Sequence, residues 1–432
     1  MLYSKLVVFS SFFLFAVVLG CSTSPVFLTP KQGSNILFKK DNQRTTVDEL
    51  LRASGPNVIP VEVSTGVVLN DKTKRPRGCG FVNMPCISVT LCSPQKTNQC
   101  QTIPNILVDT GSTGLRIYSD AVTLPLPANR DKMTHKAVGI CTTFGFQHDN
   151  KTSIWGKMVT ADVILGSEPV VKIPIELIDI QFAGQYRADG SNMVKKPACG
   201  HLVSKRLINT RNARYNGILG VGPALYDLMD YYGCSQDVCQ EISRRIDHPL
   251  TNPVGALPVD NNGVVLVLPP MAEVNRGVGG KLILGVDNRH FIFVPMYTQC
   301  DWCPGTIGGK IDGTAANILL DSGTNFIGYV GEKIEGKVNG GKVRHAILFK
   351  RKGNNPESAS LTFKNDDLNF DRKPAIHFSV LEAGTDPTNM LVLGMPWFYG
   401  KAIGVVFNGR TSRYGSGPAN IFAEGGQHVQ KF

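Results

Sequence analysis

The chain has 432 residues, 42% hydrophobic and 18% charged, which is too apolar for a disordered chain and too polar for a multi-span membrane protein. Its 45 Lys and Arg against 34 Asp and Glu give a net charge of +11, but the basic residues are scattered and their densest run is only Lys350-Arg351-Lys352. With no zinc-finger spacing and no RNP-like aromatic motif, no nucleic-acid partner is expected, and 45 glycines without a three-residue period exclude collagen and favour strands and turns.

At the amino terminus Lys5 precedes an apolar run from Leu6 to Leu19, short for a membrane span and suited to a signal-peptide core. Val18-Leu19-Gly20-Cys21 then resembles a bacterial lipobox. That resemblance implies a signal peptide over residues 1–20, a lipid on Cys21 and attachment to a membrane through it. Ser22 after the cysteine resembles outer-membrane sorting, which places the chain in the cell envelope; plain secretion is the alternative. From Ser22 to about Pro60 the composition reads as a polar tether, with a short helix expected over Thr46 to Ala53.

Setting Cys21 aside leaves an even set: Cys79, Cys86, Cys92, Cys100, Cys141, Cys199, Cys234, Cys239, Cys300 and Cys303. In an exported chain this reads as disulfides, with the short loops Cys79–Cys86, Cys92–Cys100 and Cys234–Cys239 as natural first pairings. Cys300-Asp301-Trp302-Cys303 has no second CxxC and no histidine pair beside it, so a structural bridge is expected and no metal.

From Val61 onward short β-branched runs alternate with turns: Ile87 to Leu91, Ile106 to Val108, Ala161 to Leu165, Val264 to Leu268 and Lys281 to Leu284. Helices are expected only near Pro223 to Tyr232 and Cys239 to Ile246. The fold class is therefore mostly β and disulfide-bonded, in two β-rich halves of about residues 61–250 and 264–425.

Each half carries an apolar strand that ends in aspartate, then a hydroxyl residue, glycine and a second hydroxyl residue. The first is Ile106-Leu107-Val108-Asp109-Thr110-Gly111-Ser112, the second Ile318-Leu319-Leu320-Asp321-Ser322-Gly323-Thr324. Glycine permits the tight turn, and the hydroxyls can donate to a carboxylate. One such turn is ordinary loop chemistry. Two matched copies 212 residues apart are much harder to dismiss. Each has a downstream partner, Asn216-Gly217-Ile218-Leu219-Gly220-Val221-Gly222 and Leu391-Val392-Leu393-Gly394, whose glycines suit buried strands passing close to another backbone.

In that order these motifs resemble the pepsin-like aspartic proteases over about residues 85–410. A stretch from Gly279 to Pro295 is similar to a hairpin preceding the second aspartate. The overall wording, with its cysteines and lipoprotein-like start, is closer still to a bacterial lipoprotein family known only as a domain of unknown function. The resemblance implies two β-rich lobes, each giving one catalytic aspartate, Asp109 and Asp321, to a shared cleft. It implies that Thr110 and Ser322 grip the opposing loop, that Ser112 and Thr324 bond the outer carboxylate oxygens, and that Gly111 and Gly323 support the turns. Such a pair would activate water on a peptide bond, without a cofactor, on an extended peptide or protein substrate; a monomer suffices.

Two features depart from that family. Arg116 stands where a tryptophan is expected, and Thr142-Thr143-Phe144-Gly145 carries no flap tyrosine. Phe144 or Trp155 would cover the substrate instead, or both are core aromatics. The alternative function is a non-catalytic envelope lipoprotein that binds peptides in the same cleft. Metabolic labelling with a fatty acid tests the anchor: label is expected on the wild type and lost in Cys21→Ser, and equal labelling of both would remove the lipoprotein reading.

Overall fold

The computed structural model describes residues 46–64, 79–94, 96–144, 152–179, 181–182, 210–227, 229–235, 239–243, 246–286, 294–295, 306–331, 343–349, 358–364, 378–382, 389–407 and 421–425. Cys21, the expected signal peptide, most of the expected tether, Cys199, Cys300 and Cys303 lie outside them. Described order begins with helix α1 (Val47–Leu51). Thr46 caps it: its Oγ1 accepts from the Glu49 amide at 3.2 Å, and the Glu49 carboxylate accepts from the Thr46 amide at 2.8 Å. Leu50 is fully buried among Val265, Val267, Ile283 and Ala402. The following strand, β1 (Val58–Val63), alternates buried and exposed side chains. The folded unit thus starts well before residue 61, because a reciprocal cap and one apolar anchor suffice to dock this segment.

The next strands are β2 (Pro85–Ser93), β3 (Lys96–Asp109), β4 (Thr113–Tyr118), β5 (Ala137–Phe144), β6 (Thr152–Ile164) and β7 (Val171–Ile178). After a short helix α2 (Thr210–Ala213) come β8 (Gly217–Val221), β9 (Asp230–Cys234) and β10 (Cys239–Glu241). Strands β2, β3, β8, β4, β7 and β6 pair in a ring that β6 closes onto β2 through Thr90–Ile164, Leu91–Val163 and Cys92–Asp162. Closure removes the sheet edges. Val89, Leu91, Val159, Ala161 and Val163 recur every second residue, and all are fully buried. The chain is mostly β.

The remaining elements are β11 (Gly263–Val267), α3 (Met271–Val274), β12 (Gly280–Leu284), β13 (Val294–Pro295), β14 (Thr306–Ile311), β15 (Thr314–Leu320), β16 (Ile327–Gly331), β17 (Val343–Phe349), β18 (Ser358–Lys364), β19 (Phe378–Glu382), β20 (Met390–Leu393), α4 (Met395–Phe398), β21 (Ala402–Val406) and β22 (Ile421–Gly425). Only β14 to β20 form the second sheet; β11, β12, β13, β21 and β22 extend the first sheet beyond β1. Sequence order and sheet membership therefore part company in the second half. The stretch from Gly279 to Pro295 is not one hairpin, since β12 lies between β1 and β11 while β13 pairs with β22.

One pairing pattern occurs twice. Strand β8 runs parallel to β3 and antiparallel to β4, which runs parallel to β7. Strand β20 runs parallel to β15 and antiparallel to β16, which runs parallel to β19. The glycine-marked strands are the central members, and the reason for glycine is steric. A Cβ on Gly220 would sit 2.7 Å from the Thr113 backbone, and one on Gly394 would sit 2.0 Å from the Phe326 carbonyl oxygen.

The expected helices at Pro223–Tyr232 and Cys239–Ile246 do not form. Asp230–Cys234 and Cys239–Glu241 are the strands of a tight hairpin closed by the Cys234–Cys239 disulfide, a constraint that local propensity does not override. Cys79–Cys86 and Cys92–Cys100 are also bonded, as is Cys141. Among the described residues no helix is long and apolar enough to cross a membrane. Leu50→Ala is expected to cost about 2–5 kcal/mol in chemical denaturation, as for other buried leucines. A loss below about 0.5 kcal/mol, the usual size for a surface change, would show that α1 is not part of the folded unit.

Candidate functional site

The repeated pattern ends in two turns that face each other. Asp109 is the last residue of β3, and Asp321 follows directly on β15. In the first turn the Gly111 amide donates to Asp109 Oδ1 at 2.8 Å and Ser112 Oγ donates to Oδ2 at 2.5 Å. In the second the Gly323 amide donates to Asp321 Oδ1 at 2.8 Å and Thr324 Oγ1 donates to Oδ2 at 2.6 Å. Each carboxyl group is thus held on both oxygens by its own turn.

The residues between lock the turns together. Thr110 Oγ1 donates to the Leu320 carbonyl at 2.8 Å and accepts from the Ser322 amide at 3.0 Å. Ser322 Oγ donates to the Val108 carbonyl at 2.7 Å and accepts from the Thr110 amide at 3.1 Å. Both hydroxyls are buried. The glycines make room for the opposite acid: a Cβ on Gly111 would lie 2.7 Å from Asp321 Cγ, and one on Gly323 would lie 2.7 Å from Asp109 Cγ. The two carboxyl groups consequently meet. All eight residues of the two Asp-hydroxyl-Gly-hydroxyl motifs are brought to one place.

Two nearly buried carboxylates this close cannot both ionise cheaply. Burial pushes Asp321 well above the ordinary carboxylate range, and the charge of Asp109 pushes the same way. The Thr324 hydroxyl and the Gly323 amide oppose this without cancelling it. The pair therefore shares a proton between its two acids.

A second polar cluster, not anticipated from the sequence, adjoins the first turn. Arg116, on β4, is fully buried. Its Nη1 donates to the Thr113 carbonyl at 2.8 Å, its Nε lies 3.1 Å from both Thr142 Oγ1 and Glu176 Oε2, and its Nη2 pairs with Asp227. Burial works against the cation, but Asp227, Glu176, Tyr231 and Asp109 together hold it above the ordinary arginine value. Glu176 behaves otherwise. Burial pushes it up to about 8, more than Arg116 and the Thr142 hydroxyl can offset. Asp227 and Glu176 both touch the guanidinium. The sequence signal was a charge inside each of two apolar strands, Leu115-Arg116-Ile117 and Ile175-Glu176-Leu177.

The second turn is braced differently. Asn83, fully buried with a left-handed φ of 59°, donates from Nδ2 to the Asn325 carbonyl at 2.9 Å. Asn325 returns a bond to the Val82 carbonyl at 3.2 Å, and Tyr399 Oη donates to Asn83 Oδ1 at 2.7 Å. Nothing in the sequence pairs residues so far apart.

Of the two flap candidates, Phe144 ends β5 opposite Thr152, and its side chain lies outside the described residues. Trp155 is buried on β6, stacked on Phe182 at 5.9 Å and edge-on to Tyr232 at 5.7 Å, with Nε1 donating to the Phe182 carbonyl. Those surroundings fit the core alternative. Among the described residues no three His, Cys, Asp or Glu side chains are grouped to hold a metal.

A family profile described as "Protein of unknown function (DUF3443)" matches residues 55–422. No curated protein matches the chain.

Glu176 and Asp321 both bind a proton more tightly folded than unfolded. The contribution of Glu176 to stability is complete below its ordinary value of 4.5 and lost as pH rises to about 8, and that of Asp321 is complete below its ordinary value of 3.8. Thermal unfolding should therefore show a midpoint that falls between those pH values, with a shallower fall in Glu176→Gln. An unchanged slope in that variant would mean that Glu176 is ionised in the folded protein.

Proposed function

The chain belongs to the DUF3443 family of proteins of unknown function, and we propose that it is an aspartic-type endopeptidase with two pepsin-like lobes, exported and anchored by lipid at Cys21. The observation that carries this reading is the face-to-face Asp109–Asp321 pair, gripped from both sides by matched turns. Its substrate is an extended peptide or unfolded protein. Asp109 takes a proton from a water molecule as the water oxygen attacks the scissile carbonyl carbon. Asp321 gives its proton to the carbonyl oxygen; collapse of the tetrahedral diol then breaks the C–N bond as Asp109 passes its proton to the nitrogen and Asp321 takes one back from a diol hydroxyl. No covalent enzyme intermediate forms. The protons belong to the pair, so its apparent titration steps, rather than those of either residue, set the pH profile.

A second reading is favoured by one observation, the replacement of a flap tryptophan–tyrosine pair by Arg116 and a tyrosine-free strand end. In it the same cleft holds a peptide without cutting it.

Incubation with an unfolded-protein library from about pH 3 to 7, the range in which carboxyl groups titrate, followed by mass spectrometry, separates the two. Cleavage is expected, and Asp109→Asn and Asp321→Asn should each lower turnover by about 10²–10⁴-fold, the usual size of general acid–base catalysis. The double variant should be little worse than either single one. Undiminished cleavage in a folded single variant removes the dyad, and stoichiometric peptide binding that survives both substitutions without any cleavage selects the binding reading.

A further inference from the structure

We propose that Arg116 is a positioning residue for the aspartate pair: held by Asp227, Glu176 and Thr142, it fixes the chain where it leaves the Asp109 turn and sets a permanent positive charge within electrostatic reach of Asp109. The inference rests on reading Asp109 and Asp321 as the reacting pair.

The geometry is specific. A guanidinium offers donors in one plane, and here they reach the start of its own strand and three other segments. Nη1 holds the Thr113 carbonyl, the residue directly after Ser112, whose hydroxyl grips Asp109. Nε meets Thr142 on β5 and Glu176 on β7, and Nη2 meets Asp227 after β8. Tyr231 on β9 closes the cluster, donating to the Asp227 carbonyl at 3.1 Å and accepting from the Leu250 amide at 2.9 Å. Leu250 in turn packs where a Cβ on Gly114 would be, within 2.6 Å. The strand beginning at Thr113 is thus pinned along one side by polar bonds and by contact.

A purely structural account is weak on energetic grounds. Burying an arginine with two carboxyl groups is costly, and well-packed apolar side chains at such places are commonly as stable or more so. The fold also leaves Glu176 Oε1 buried without a hydrogen bond. What the arrangement supplies beyond packing is a fixed cation on one side of the pair. The charged and titratable groups that face Arg116 are Asp227, Glu176, Tyr231 and Asp109. Asp109 itself faces Asp321, Arg116 and Tyr215. Arg116 is the only cation among these groups, and its charge favours the ionised state of the pair.

The test uses the full chain, labelled with ¹³C at aspartate carboxyl groups, with the pair's signals identified by difference from Asp109→Asn and Asp321→Asn. Arg116→Gln should raise the lower apparent midpoint of the pair by about one pH unit, the low end of the effect of a nearby opposite charge. The acidic limb of the cleavage profile should move up with it, and kcat should fall by about 10²-fold while KM changes little. Arg116→Lys keeps the charge and loses the planar fork, so the midpoint should stay while kcat still falls. Asp227→Asn removes a negative charge and should move the midpoint down; it serves alone if Arg116→Gln does not fold. A folded Arg116→Gln with midpoint and limb at wild-type positions, or an unmoved midpoint in Asp227→Asn, overturns the proposal. A shifted midpoint in a protein that cleaves nothing supports the placement of Arg116 and removes the endopeptidase reading instead.

Discussion

Two hydroxyl groups hold this architecture to its purpose. Thr110 and Ser322 are buried, and a buried hydroxyl without partners costs the fold on the order of 1–3 kcal/mol. Each finds its partners only in the opposite turn, through a carbonyl it donates to and an amide it accepts from. Neither turn is complete by itself. The four bonds force the ends of β3 and β15 into contact, and contact brings the two carboxyl groups together whether or not electrostatics favours it. Glycine at 111 and 323 follows as a steric requirement, since any Cβ there would occupy the space of the other acid.

The consequence is a site that costs stability. Like charges meet in a place with little water, so the pair holds a proton in common while four local donors steady the two carboxyl groups. The Arg116 cluster adds a second buried set of charges within reach of the first. Natural folds carry such local conflicts mainly where function requires them, and support them from rigid surroundings. Here the support is a closed ring of strands on one side and the central strand β20 on the other.

Much of this was legible because it is local. The aspartate turns, their glycine-marked partner strands, the short helix beginning near Thr46 and the three short disulfide loops each occupy a few consecutive residues, and their residue types state their geometry. What was illegible depends on distant neighbours. The sequence gives no reason to join Asn83 to Asn325 and Tyr399, or to place β11, β12, β21 and β22 beside β1 instead of with the second sheet. The hairpin of β9 and β10 was misread as helix because its cysteines were read as a pairing but not as a hairpin closure. Arg116 was visible only as a departure from a pattern. Its meaning needed Glu176 and Asp227, which the fold supplies from 60 and 111 residues away.

The two turns are nearly identical in sequence, but their surroundings are not. Beside the first stands a buried guanidinium with its counter-ion; beside the second stand neutral amides and a phenol, those of Asn83, Asn325 and Tyr399. A symmetric pair in symmetric surroundings would divide its proton evenly between the two acids. A cation on one side breaks that tie, since it favours the anion next to it and leaves the proton on the far partner. Asp321 is the acid pushed well above the ordinary range. The repeated motif thus supplies two matched acids, and the unrepeated strand residue Arg116 gives them unequal surroundings.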